Sequence, residues 1–117
     1  MKRRIRFVSL IVLAFALASG CLARREREAT LKLDLRVMRQ AIDQYTLDKQ
    51  QAPQSLQDLV NGNYLKEIPT DPFTLKKDWV PYICDIVSSP GQKMTGLADV
   101  HSNSTQVGND GSAYNTW

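Results

Sequence analysis

Leu31, Leu35, Met38, Ile42 and Tyr45 recur at steps of 4, 3, 4 and 3, the spacing of one face of an α-helix. Residues 24–49 contain no Gly and no Pro, so the spacing predicts one unbroken helix of 26 residues, about 39 Å long at 1.5 Å per residue. Val37 and Ala41 widen the stripe, while Arg25, Glu28, Lys32, Arg36, Arg39 and Asp43 fall elsewhere on the wheel. Glu28 and Lys32 stand at i,i+4 in the favourable order for an ion pair. A single long stripe must lie across something apolar. Its own domain is the expected cover, and a coiled-coil partner is the alternative.

The pattern then changes. Pro53 restricts the residue before it and ends the helix. Ser55 opens a short second helix with Asp58 in the capping-box position, Leu56, Leu59 and Val60 on its buried side, and Asn61-Gly62-Asn63 as its stop. Tyr64 and Leu65 return to the core, and residues 68–73, with Pro69 and Pro72, form a rigid extended turn. Residues 79–87 (WVPYICDIV) read as a strand in which Pro81 marks an edge or a bulge, and residues 88–91 as a turn. Residues 96–102 alternate, with Leu97, Asp99 and His101 on one side and Ala98 and Val100 on the other. Residues 103–112 read as a loop, and residues 113–117 as a short terminal strand anchored by Tyr114 and Trp117. The expected fold class is α+β: a long N-terminal helix packed on a small antiparallel β-sheet.

Ahead of the helix the chain follows a different logic. Residues 1–6 (MKRRIR) are basic, residues 7–18 are apolar except for Ser9, and Ser19-Gly20-Cys21 follow. This is the layout of a secretory signal. The uncharged run Phe7–Ala23 has 17 residues, the lower limit for crossing a bilayer. Its ending, Leu17-Ala18-Ser19-Gly20-Cys21, resembles a bacterial lipobox, with Ala18 where Leu is usual, and this makes Cys21 the candidate lipidation site. An uncleaved anchor and a plain cleaved signal are the alternatives. Residues 1–23 are thus read as a signal or anchor and residues 24–117 as the globular domain. The domain is expected to face the periplasm, held as an outer-membrane lipoprotein or by an inner-membrane anchor.

Charge sharpens this division. The chain of 117 residues carries a formal +3, but Lys2, Arg3, Arg4 and Arg6 supply four of its 15 basic residues, and the domain beyond them has fewer basic than acidic groups. A nucleic-acid footprint is therefore not expected. Cys21 and Cys84 do not form a disulfide framework, and Cys84 is expected to be a small buried strand residue. His101 is the sole histidine and the only candidate general base, with Asp99 on its strand face and Ser102 and Ser104 nearby. Three residues consecutive on one strand do not converge on one substrate atom, so no enzyme is expected.

Residues 33–45 (LDLRVMRQAIDQY), then Pro53, residues 55–59 (SLQDL), residues 64–73 (YLKEIPTDPF) and residues 110–117 (DGSAYNTW) follow one another in a telling order. Over residues 29–117 the chain resembles the major pseudopilins of bacterial type II secretion systems. The resemblance implies a pilin-like fold, a place in a periplasmic filament that pushes folded proteins through an outer-membrane channel, and other pseudopilins or secretion-system proteins as partners. It also implies a calcium ion in the C-terminal loop, for which Asn103 and Asp110 are the matching candidate ligands. Only Asp110 carries charge, so the site would be weak, and an ordinary Asp110-Gly111 turn capped by Asn103 is the simpler reading. The family's processing motif, Gly-Phe-Thr-Leu-x-Glu, is missing: no Gly precedes Phe7 and no Glu lies within Phe7–Leu22. Two functional readings follow. One is a non-enzymatic pseudopilin-like component of type II secretion. The other is a membrane-anchored periplasmic lipoprotein that uses a pilin-like head as a binding module without filament assembly.

Overall fold

In the computed structural model, the elements run α1 (Lys2–Lys49), α2 (Leu56–Asn61), β1 (Val80–Ser89), β2 (Gln92–His101) and a closing 3-10 turn, Tyr114–Thr116. The structure describes residues 23–117, apart from the side chains of residues 88, 89 and 92. The candidate lipidation site Cys21 and the signal segment up to Leu22 lie outside the described residues. Among the described residues, no helix is long and apolar enough to cross a membrane.

The fold is α+β, a long helix laid across a two-stranded antiparallel hairpin. Leu31, Leu35, Met38 and Ile42 are all at most 2% exposed and pack with Leu59, Leu65, Trp79, Leu97, Val100 and Tyr114. The stripe read from the spacing is thus the core seam of α1, with Tyr45 half-buried at its end. Val37 does not widen it: its side chain is exposed, and Ala41 alone extends the seam. Gln50 ends α1 in the left-handed region at φ 51°, and the chain turns there into Pro53.

The capping box at α2 forms only in part. The Ser55 side chain makes no cap bond, but the Asp58 carboxylate accepts from the Gln54 backbone N–H at 2.9 Å. The left-handed residue that stops α2 is Asn63, at φ 65°, and not Gly62. Both residues are common in such positions.

The hairpin is longer than the apolar pattern indicates, because β2 begins at Gln92 and the loop shrinks to Pro90-Gly91. Residues 92–95 extend the ladder, with Met94 opposite Ile86 as their one apolar pair. The alternation read for β2 is broken by a bulge. Tyr82 pairs with Asp99 and Ile83 with Leu97, which leaves Ala98 without a partner. An unpaired residue shifts the side-chain phase, so Leu97 and Val100, three apart, are both buried. Asp99 and His101 stay together on the other side, 3.5 Å apart. Trp79 sits just before β1, buried, with its indole N–H donating to the Pro69 carbonyl at 2.7 Å. Cys84 is exposed, not buried as its apolar neighbours suggest, because α1 covers β2 and leaves β1 on the outside.

The outer edge of β2 is capped by the residues that follow α1. The Leu97 N–H donates to the Pro53 carbonyl at 2.7 Å, and the Gln54 amide donates to the Thr95 carbonyl at 2.9 Å. Gly96 permits this approach, since a Cβ there would lie 2.5 Å from the Ala52 Cβ and 2.8 Å from the Pro53 oxygen. Gly96→Ala is therefore expected to destabilise the fold by about 1–3 kcal/mol, the range for overpacking a filled contact. Chemical denaturation of the full chain checks this value.

Candidate functional site

The residues that tie sequence ends together gather on one polar side of α1. Arg24, Glu28, Lys32 and Arg39 all reach the C-terminal segment. The Arg24 guanidinium donates to the Val107 carbonyl. One Glu28 carboxylate oxygen accepts from the Tyr114 hydroxyl at 2.7 Å and from the Asn109 N–H at 3.1 Å. The Lys32 ammonium stands 5.0 Å above the Trp117 ring, a cation–π arrangement. The i,i+4 ion pair expected between Glu28 and Lys32 is thus replaced by two contacts with the C-terminus.

Arg39 clamps three acceptors at once. Its Nε donates to Asp99 Oδ1 at 2.7 Å, and its Nη2 donates to the carbonyls of Val100 at 3.1 Å and Trp117 at 2.7 Å. His101 is not a solvent-facing strand residue. It is half-buried, with Nδ1 at 2.7 Å from the Trp117 carbonyl and its ring edge-on to Tyr82. Between these contacts lies an open groove of about 660 Å³, lined by Lys32, Arg36, Arg39, Asp43, Asp110 and Trp117 among others. It offers three cationic side chains, two carboxylates and one indole face.

The 113–117 segment is not a strand. Val107 and Ala113 form a single bridge, and Tyr114–Thr116 closes as a 3-10 turn with the Thr116 N–H on the Ala113 carbonyl at 3.0 Å. The anchors are as read from the sequence: Tyr114 is fully buried and Trp117 half-buried. Tyr114 stacks on Phe73 with ring centroids 3.9 Å apart and meets Trp117 edge-on at 4.8 Å. Burial, and then the hydrogen bond to Glu28, push the Tyr114 hydroxyl above the ordinary tyrosine range.

A second buried polar centre was not singled out in the sequence. Asp71 is fully buried, yet each oxygen is satisfied. Oδ1 accepts from the Phe73 N–H at 2.8 Å, and Oδ2 accepts from the Ser102 hydroxyl. The Asp71-Pro72 pair was legible as a turn, and an Asp that bonds the backbone two residues on is the usual device there. Among the described residues, Ser102 thus donates to Asp71 rather than to His101. Asp34 on α1 faces this centre. Desolvation, and then the Asp71 charge, raise its pKa. A raised carboxylate favours folding while protonated and loses that contribution as pH rises through its folded pKa. Asp34→Asn is expected to raise the melting temperature at neutral pH, with the gain vanishing below the ordinary aspartate range. Melts across pH 3–7 check the sign.

The two calcium candidates lie in separate contacts. Asn103 donates from its amide to Asp78 Oδ2 at 3.2 Å and does not cap the loop turn. Asp110 Oδ1 accepts from the Ser112 N–H at 2.9 Å and from its hydroxyl at 2.6 Å, while Gly111 takes φ 85°. The Ser112 bonds hold Asp110 below the usual carboxylate range, and Thr74 and Asn103 do the same for Asp78. Among the described residues, no group of three His, Cys, Asp or Glu stands ready to hold a metal ion. Glu28 ties the 107–114 loop to α1. Calcium is expected to raise the melting temperature by no more than about 1 °C, and less again in Asp110→Ala. A titration followed by differential scanning calorimetry checks both.

No protein family, no curated protein and no solved structure matches this chain.

Proposed function

We propose that the chain is a non-enzymatic, membrane-tethered subunit of type II protein secretion, pseudopilin-like in form, with its head on the periplasmic side and other pseudopilins or secretion-system proteins as its partners. One observation carries most of the weight. The two tracts on which the resemblance rests, residues 64–73 and 110–117, meet in space through the Phe73–Tyr114 stack at 3.9 Å. They are joined further by the burial of Asp71 against the strand end at Ser102. The segments that carry the resemblance, far apart in sequence, are thus joined in one structural unit.

The rest of the molecule suits a packing and transmission role. A helix stiffened by its core seam carries a head whose last residues are bolted back onto it by Glu28 and Arg39. A load on the head would pass into the helix through those contacts. The second reading, a lipoprotein with the head as a binding module, is favoured by Gly20-Cys21 and by the missing prepilin motif.

Photo-crosslinking in cells separates the two. With a benzophenone amino acid at the exposed position Val37, the secretion reading expects adducts with secretion-system subunits. Adducts confined to unrelated envelope proteins, together with a mature N-terminus of diacylated Cys21 by mass spectrometry, would favour the binding module instead.

A further inference from the structure

The groove between α1 and the C-terminal turn holds charges that the fold itself leaves open. Its cations Lys32, Arg36 and Arg39 stand at i, i+4 and i+7, on one face of α1. Arg39 is spent on Asp99 and on the carbonyls of Val100 and Trp117. Lys32 lies over the Trp117 ring and Arg36 is exposed, and among the described residues neither is paired with a carboxylate. Of the two carboxylates in the groove, Asp110 is occupied by the Ser112 N–H and hydroxyl. Asp43, one turn beyond Arg39, is exposed and has no cation partner among the described residues. Along α1 the groove therefore presents two open positive charges and then one open negative charge.

The order and spacing of these charges select the ligand. The groove is open, so a single small anion there would stay in water. On one side of an extended peptide, alternate residues lie about 6.6 Å apart. Lys32 and Arg36 are separated by a rise of about 6 Å along α1. A segment laid along the helix can thus set one carboxylate on each cation, and a guanidinium takes a carboxylate through two parallel N–H···O bonds.

We infer that this groove is a docking site for an extended acidic segment of another protein, with two carboxylates on alternate residues held by Lys32 and Arg36. Recognition of acidic motifs by basic side chains is a recurring mode of peptide binding. Asp43 repels a third carboxylate in the series and so limits the length of the acidic run. The same charge works against a nucleic acid, whose phosphates continue without a break. A second copy of this chain does not fit. Of its 12 acidic residues, only Glu26 and Glu28 stand on alternate positions. Both are wound into α1, and Glu28 is bound to Tyr114. This docking does not depend on a role in secretion and would survive the failure of that reading.

The test measures fluorescence anisotropy of a fluorescein-labelled peptide, Thr-Glu-Thr-Glu-Thr, titrated at low salt with the full chain in detergent. Saturable binding is expected, weaker for the Thr-Gln-Thr-Gln-Thr peptide and for Thr-Glu-Glu-Thr-Thr, which has the same charge at the wrong spacing. Arg36→Gln and Lys32→Gln should each weaken binding about fivefold, the upper end for an exposed ion pair. The melting temperature of Arg36→Gln should hold, because Arg36 is outside the core. Asp43→Asn should tighten binding of a peptide extended by a third alternate Glu. Absence of saturable binding would overturn the inference. So would equal binding of the Gln peptide or of the adjacent-Glu peptide, or affinity unchanged in both Arg36→Gln and Lys32→Gln. A short oligothymidylate that binds more tightly than the acidic peptide would assign the groove to nucleic acid and overturn it as well.

Discussion

Leu35→Asp is expected to leave no cooperatively folded head. Leu35 is 2% exposed in the middle of the seam between α1 and the hairpin. Removing the leucine side chain forfeits about 2–5 kcal/mol, and the carboxylate that replaces it has no partner in an apolar site, which adds several more or forces protonation. The sum rivals the whole stability of a small domain, about 5–15 kcal/mol. Thermal melts of the full chain followed by the fluorescence of Trp79, itself buried, should show no transition. Ile42→Asp, about two turns along the same seam, should do the same. Leu35→Met, which keeps the volume, should cost less than about 1.5 kcal/mol and keep the transition. A Leu35→Asp melting temperature near that of the parent would mean that the stripe is not the core.

Tyr114→Ala is the second large effect, expected at about 3–5 kcal/mol for an aromatic ring removed from a filled site. The ring is fully buried, stacks on Phe73, meets Trp117 edge-on and hydrogen-bonds Glu28. Tyr114→Phe separates these contributions. It keeps the stack and loses the hydroxyl, at a cost of about 1 kcal/mol. Because the Tyr114 pKa is raised in the fold, its share of stability is present below the ordinary tyrosine range and is lost as pH rises through the folded value. Stability should therefore fall at alkaline pH in the parent and fall less in Tyr114→Phe. Urea denaturation at neutral and alkaline pH measures both effects.

These residues also mark what the sequence could and could not reveal. The seam from Leu31 to Tyr45 was legible because helical periodicity is a local signal that survives without knowledge of the partner. Val37 was misplaced by the same signal, since a wheel shows which residues share a face but not how far the covering hairpin reaches around it. The strand phase of Leu97 and Val100 could not be read, because a bulge belongs to the pairing of two strands, and the unpaired Ala98 looks like any other strand residue. The terminal segment reads as a strand on the strength of Tyr114 and Trp117, but their preference for sheets yields here to a tight turn that tucks both rings against the core. The contacts that build the polar side of α1 were hidden for a simpler reason. Glu28 and Tyr114 lie 86 residues apart, and Arg39 finds its three acceptors only once the hairpin and the C-terminal turn are in place. Asp71 was nearer to view, because an Asp before Pro72 announces a turn, although its burial against Ser102 does not follow from that.

The most direct test of the functional account is the release of folded exported proteins by cells that make this chain, compared before and after its gene is deleted. The account predicts that such proteins accumulate in the periplasm and disappear from the medium, and that the parent chain restores release while Leu35→Asp does not. Undiminished release from the deletion strain would contradict a role in type II secretion.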